Sequence, residues 1–264
     1  FGVPTSTTVN TLYSTYFDGT GDYLTIPTNA VFDFGTSDFT IEGWFYFTGT
    51  IATYQRPWWF GDDNDNIEIN ASVLRVGGAS QSTLITGGTT IVANTWYHIA
   101  LTRASGSYKL WLNGSQQGST ATNSYNSSAR TFTLMATSGG ANPSTGYVSN
   151  LRIVKGTALY TASFTVPTAP LTAIANTSLL TCNAATIVDS SNNNFTITNN
   201  NTATVSSLVP FNVVGYGYKF NNRNNVPTTQ KAIFGYGYTT AGVSMTNLVS
   251  NTGIVATDTT GVGT

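Results

Sequence analysis

One cysteine, Cys182, and one histidine, His98, are all that this chain holds of the side chains that most often ligate transition metals or form nucleophile–base pairs. A lone cysteine excludes an intrachain disulfide and any multi-cysteine zinc site, so packing must hold the fold together. In "SLLTCNA" Cys182 reads as a small core hydrophobe, the usual state of a free cysteine. Charge is equally scarce. Asp, Glu, Lys and Arg make up 8% of the residues, against roughly a quarter in ordinary globular proteins. The basic residues are scattered singly and the net charge is −1. With no basic stripe to neutralise phosphates or to hold the chain on anionic lipid, nucleic acid and membranes are excluded as partners. No apolar run approaches the roughly 20 residues that span a bilayer. Nor is there a charged-then-apolar leader: the chain opens "FGVPTSTT" without Met, as expected of a processed protein or of a segment of a longer one. Amphipathic helices are missing too, since no segment keeps apolar residues at i, i+3, i+4 and i+7 for three turns.

What recurs instead is alternation with a period of two, which predicts an all-β chain whose solvated faces are covered by Thr, Ser, Asn and Gly. In "DFTIEGWFYF" (38–47) one face carries Phe39, Ile41, Phe45 and Phe47, and the other carries Thr40, Glu42, Trp44 and Tyr46. A strand aromatic on both faces belongs in the centre of a sheet, with one face on the core and the other covered or lining a groove. "TWYHIALTR" (95–103) and "SYKLWLNG" (107–114), followed by "SQQGSTA", read as a three-strand meander. Its second turn is Asn113-Gly114, a pair suited to the positive φ values of a type I′ hairpin. Further strands are expected in "TFTLMAT" (131–137) and "GYVSNLRIVKG" (146–156), with "SGGANPSTG" supplying the turn between them.

Beyond residue 156 the pattern changes. Pro167 and Pro170 break any ladder and predict an extended return across the sandwich. An Asn/Thr/Ser tract follows around a short "FTIT" strand, and N-x-S/T sequons at Asn70, Asn113, Asn126 and Asn194 are accounted for by composition. "VVGYGYKF" (213–220) and "AIFGYGYTT" (232–240) repeat Gly-Tyr-Gly-Tyr, from Gly215 to Gly235. Units so short bury no core alone and must stack on something. Residues 1–212 are therefore assigned to a β-sandwich with its return segment, and residues 213–264 to an appendage for assembly.

Candidate chemistry concentrates between residues 54 and 68. "GDDNDNIE" gathers Asp62, Asp63, Asp65 and Glu68, and hard oxygen ligands of this kind suit calcium. An EF-hand register starting at Asp63 fails, because Glu68 stands where that loop needs glycine; a solvated acidic loop is the alternative. In "YQRPWWFGDD" the neighbours Trp58 and Trp59 face opposite ways on a strand. A sugar ring can dock on an exposed indole with Arg56 beside it to hydrogen-bond hydroxyls, and one Trp in the core with the other covered by a loop is the alternative. In "YFDGTGDYLTIP" (16–27), Asp18 and Asp22 flank Gly19 and Gly21; the spacing fits a sheet corner held by Asx hydrogen bonds before it fits a ligand site. Catalysis finds little support. His98 lies mid-strand without a nucleophile motif, Glu42 has no partner carboxylate on its strand, and "GYGY" lacks the lysine of a phosphate loop.

The ordered series "YFDGTGDYLTIP", "DFTIEGWFYF", "TWYHIALTR", "YKLWLNGSQQGS" and "GYVSNLRIVKGTALYT", spanning residues 16–161, resembles the laminin-G-like branch of the concanavalin-A-like jelly rolls. The resemblance implies a two-sheet antiparallel β-sandwich with Trp96 and the Asn113-Gly114 hairpin as framework. Family members often carry acidic residues where this chain reads Ser149 and Asn150, which weakens the transfer of a calcium or ligand site. "FTVPTAPLTAIANTSLLTC", "VDSSNNNFTIT", "LVPF" and "KAIFGYGYTTAGVSMTNLVSNTG" are similar to stretches of tailed-bacteriophage structural proteins, notably of marine cyanobacterial phages. That likeness implies a non-enzymatic component of a virion surface: a fibre, a tail-associated adhesin or a capsid decoration. Its expected partners are other virion subunits, including copies of itself in a homo-oligomer, and host-surface glycans. Two other readings stand beside it, a calcium-assisted carbohydrate-binding lectin of a non-viral extracellular assembly and, more remotely, a glycan-degrading enzyme.

Overall fold

Alternation in the sequence becomes two packed sheets in the computed structural model, which describes residues 12–51, 54–61, 65–77 and 83–211 together with three later strands. In chain order the strands are β1 (Ser14–Asp18), β2 (Tyr23–Ile26), β3 (Phe39–Phe47), β4 (Gln55–Trp59), β5 (Ile67–Asn70), β6 (Val73–Val76) and β7 (Ile85–Thr90). They continue as β8 (Trp96–Ala104), β9 (Ser107–Leu112), β10 (Ser115–Thr122), β11 (Phe132–Leu134), β12 (Thr145–Lys155), β13 (Thr177–Thr181), β14 (Thr198–Asn200) and β15 (Thr204–Ser206). One sheet runs β10-β9-β8-β3-β12-β1-β15, with β13 also paired to β12; the other runs β14-β2-β11-β4-β5-β6-β7. By contacts the chain divides into Phe1–Val214 and Gly215–Thr264. The second unit holds an antiparallel sheet of β16 (Lys231–Gly235), β17 (Met245–Ser250) and β18 (Thr259–Thr260). The first Gly-Tyr-Gly-Tyr run lies outside the described residues, and the second begins at the end of β16.

The sandwich core forms where the apolar sets of the two sheets meet. Phe39, Ile41, Phe45 and Phe47 of β3 and Ile99 and Leu101 of β8 face Trp58, Ile67, Ile69 and Leu134 of the second sheet. Each side chain of this size, removed fully from water, contributes about 1.5–3 kcal/mol. The meander falls where expected, and Asn113 and Gly114 both take positive φ, 49° and 79°. The Gly114 position is also crowded: a Cβ there would lie 1.9 Å from the carbonyl oxygen of Phe164, whose own N–H donates to Gly114 O at 3.0 Å.

Phe164 belongs to the Pro-bearing return, residues 157–172, which forms no strand and lies as a strap on the outer face of the first sheet. Side chains of the sheet hold its backbone. Thr40 Oγ1 donates to Thr157 O and accepts from Leu159 N–H, Thr102 Oγ1 donates to Tyr160 O, and Lys109 Nζ donates to Thr161 O. The "DGTGDY" segment is a corner. Asp22, buried, accepts from the N–H groups of Asp18 and Thr202, and Asp18 Oδ1 accepts from Thr20 N–H. One expectation shifts in register: the strand expected at "FTIT" is instead Thr198–Asn200, because Phe195 and Ile197 pack on the core from a loop and only the next residues reach β2.

Candidate functional site

The structure turns most of the 54–68 segment inward. Trp58 is fully buried and its Nε1 donates to Asp65 O at 2.9 Å. Trp59 points the other way, as alternation requires, yet it is only 3% exposed. Arg56 lies over its ring at 5.3 Å and over Tyr54 at 5.1 Å, and it pairs with the Glu68 carboxylate. Asp65 is fully enclosed, its two carboxylate oxygens accepting from Tyr108 Oη at 3.0 Å and Ser127 Oγ at 2.6 Å. Burial and the negative charge of Asp65 push the Tyr108 hydroxyl well above its ordinary pKa. Asp62 and Asp63 lie outside the described residues. Asp65 and Glu68 are thus committed to core hydrogen bonds and an ion pair. Among the described residues no three His, Cys, Asp or Glu groups converge as a metal site.

The outer face of the first sheet is organised differently. Residues that alternate outward fall in register across four adjacent strands: Tyr16 of β1 opposite Tyr147 of β12, Tyr147 opposite Tyr46 of β3, and Tyr46 opposite Trp96 of β8. Their ring centroids are 4.8, 5.7 and 5.4 Å apart in that order, and all four side chains are partly exposed. The pitch follows from the strand spacing of about 4.8 Å, so the row is about 15 Å long. Trp96, expected as framework, contributes a half-open ring to this row.

One row further in, Ser149, Trp44 and His98 lie opposite one another. Trp44 Nε1, His98 Nδ1 and the neighbouring Trp96 Nε1 are enclosed without a hydrogen-bond partner. Asn150, which departs from the acidic pattern of the family, makes a bulge with φ of 55° and accepts from Leu171 N–H at 3.0 Å. Asn150 thereby anchors the end of the strap.

Next comes a buried charge cluster beneath the strap. Glu42 accepts from Arg152 Nε and Nη2 at 3.0 and 2.5 Å and from Tyr160 Oη at 2.7 Å. Arg152 uses Oε1 of Glu42 and Tyr160 uses Oε2; His98 Nε2 lies 3.2 Å from that same Oε2, and since a carboxylate only accepts, Nε2 carries the proton. Burial pushes the Glu42 carboxyl up, but His98, Arg152 and Tyr160 together outweigh it and hold the group below the ordinary carboxylate range. Tyr160 stacks on Phe164 at 3.6 Å and closes the cluster. The outer face is therefore sealed at one end and open along an aromatic row at the other.

The family model described as concanavalin A-like lectin/glucanases superfamily matches residues 18–162. Among solved structures, a candidate carbohydrate binding protein from Bacteroides ovatus shares 17% identity at a TM-score of 0.50, over 75% of this chain and 60% of that one. Laminin α1 domains LG4-5 from mouse share 15% identity at a TM-score of 0.40, over 57% of this chain and 44% of that one. Domain 4 of an extracellular arabinanase from Geobacillus stearothermophilus, solved with arabinotriose, shares 18% identity at a TM-score of 0.40, over 54% and 70%. These likenesses concern the fold. Comparison with curated proteins gives no match.

Proposed function

This chain belongs to the concanavalin A-like lectin/glucanase superfamily, and from that premise we propose that it is a non-catalytic carbohydrate-binding module whose site is the Tyr16–Tyr147–Tyr46–Trp96 row. The row carries the proposal: aromatic faces aligned on a rigid sheet stack on the C–H faces of sugars, and tyrosine hydroxyls at their rims hydrogen-bond sugar hydroxyls. Glu42, the carboxylate on β3, is held by Arg152, His98 and Tyr160 under the strap, and among the described residues no carboxylate opposes it for glycoside hydrolysis. A module of this type acts outside the cell. We place it on a virion surface, where the 213–264 unit joins it to other subunits; the similarity of residues 164–182 and 231–253 to phage structural proteins supports that placement.

A glycan array with the purified full chain tests the site, and antibody labelling of particles in the electron microscope tests the placement. Specific binding is expected, and it should disappear in the Tyr46→Ala/Tyr147→Ala double variant while circular dichroism stays native. Silence of the folded wild-type chain across the array would remove the carbohydrate reading.

A further inference from the structure

Three observations on the aromatic row, none of them about loops or metal, define the class of carbohydrate it takes. We infer that the ligand is a neutral, linear, soluble oligosaccharide lying across the strands, with one sugar unit per ring and four units in all. The inference rests on the carbohydrate-binding reading above and goes beyond it in fixing length, direction and charge.

Length and direction come from the register. Tyr16, Tyr147, Tyr46 and Trp96 each come from a different strand, so the platforms repeat perpendicular to the strands at the sheet's own spacing. That spacing, about 4.8 Å, is close to the length of one pyranose unit in an extended chain. A site for a single terminal sugar needs one platform and convergent polar groups around it; four platforms in line serve a chain. The row ends at both sides: beyond Tyr16 the register partner is Thr204 of β15, and β9, which pairs with β8 from Ile99 to Ala104, places no residue opposite Trp96.

Ring orientation separates a single chain from a crystalline surface. Neighbouring ring planes lie at 43°, 80° and 56° to one another, as tilted and edge-to-face aromatic packing produces. A flat polysaccharide surface touches coplanar rings together. Rings that are not coplanar fit a single chain, whose units can each reorient, and not a flat surface.

Charge is set by what lines the row. None of its four members is an acidic or basic residue, and Glu42 and Arg152, two residue pairs further in on the same sheet face, are paired with each other beneath the strap. Asp18, exposed two residues beyond Tyr16 and hence on the same face, repels an anionic chain. Uronates, sulfated glycans and sialylated termini therefore meet no unpaired cation along the row among the described residues. The inner border of the row is closed: Trp44 Nε1, Trp96 Nε1 and His98 Nδ1 are enclosed, and Phe211 packs edge-on to Trp44 at 5.9 Å.

Calorimetric titration of the full chain with neutral β-1,4-linked glucose, mannose and xylose oligosaccharides of one to six units tests this, alongside uronate-bearing and sulfated series of equal length and a pull-down on crystalline cellulose. Affinity should rise about tenfold from two units to four in at least one neutral series and stay level from four to six. Tyr16→Leu, which keeps the apolar packing but removes an end platform, should move the plateau to three units. Full affinity for a monosaccharide, a preference for an anionic series, or retention on crystalline cellulose alone would each overturn the inference while leaving the carbohydrate-binding reading intact. No binding in any series by a folded chain that is also silent on the array would remove both.

Discussion

Glu42 of β3 and Arg152 of β12 are register partners, and two nitrogens of the guanidinium close on a single carboxylate oxygen. Glu42 is fully buried and Arg152 is 7% exposed. Removing one member of such a pair leaves the other charged in a dry environment. Glu42→Gln should therefore cost about 3–5 kcal/mol of stability in chemical denaturation. Replacing the pair together, Glu42→Met with Arg152→Met, should cost markedly less. Equal losses in both variants would mean that the pair contributes packing alone.

Acid should loosen the strap before the sandwich melts. The Glu42 carboxyl is held below its unfolded value, so the stability it contributes is fully present above the unfolded carboxylate pKa, about 4.3. That stability is lost as pH falls through the lower folded value. Hydrogen exchange of residues 157–172, followed from pH 7 down to pH 3, should accelerate below pH 4 ahead of the β3 and β8 core; simultaneous loss would show that the strap has no separate transition.

Gly114→Ala should act at a distance along the chain. The substitution forces an alanine to φ of 79° and drives its Cβ into the Phe164 carbonyl. A loss of more than about 1 kcal/mol is expected, with protease cleavage appearing first in the strap. Cleavage confined to the 113–114 turn would contradict the contact.

Cys182 should be chemically silent in the folded chain. Burial pushes its thiol up to about 12, in spite of hydrogen bonds with Thr15 and Thr181. Iodoacetamide at pH 8 should modify it only after denaturant is added; stoichiometric labelling under native conditions would show that this end of the core opens.

Chelator should leave the melting temperature unchanged, because Asp65 and Glu68 already have protein partners. A rise of several degrees on adding calcium would return a cation to the acidic loop.

The fold was legible because its signals are local. Alternation located β3, β8 and β12, and Asn113-Gly114 located the hairpin that joins β9 to β10. The site was less legible. Trp58 and Trp59 attracted attention as adjacent large aromatics, but a strand buried on both faces encloses both of them. The row escaped because each strand supplies one ring: Tyr16, Tyr46, Trp96 and Tyr147 are unremarkable in their own segments and meet only through inter-strand register, which no local pattern encodes. The outward alternation of Tyr46 in "GWFYF", of Trp96 in "TWYHIALTR" and of Tyr147 in "GYVSN" was the available signal. Glu42 looked isolated for the same reason, since its partners arrive from β8, β12 and the strap.

A binding surface assembled one ring per strand behaves like a keyboard. Each position can be exchanged without touching the side chains that fill the sandwich, because the neighbours of Tyr16, Tyr46 and Tyr147 on their own strands point to the opposite side. Selectivity can then drift key by key, one sugar position at a time, while the scaffold that sets the spacing stays constant.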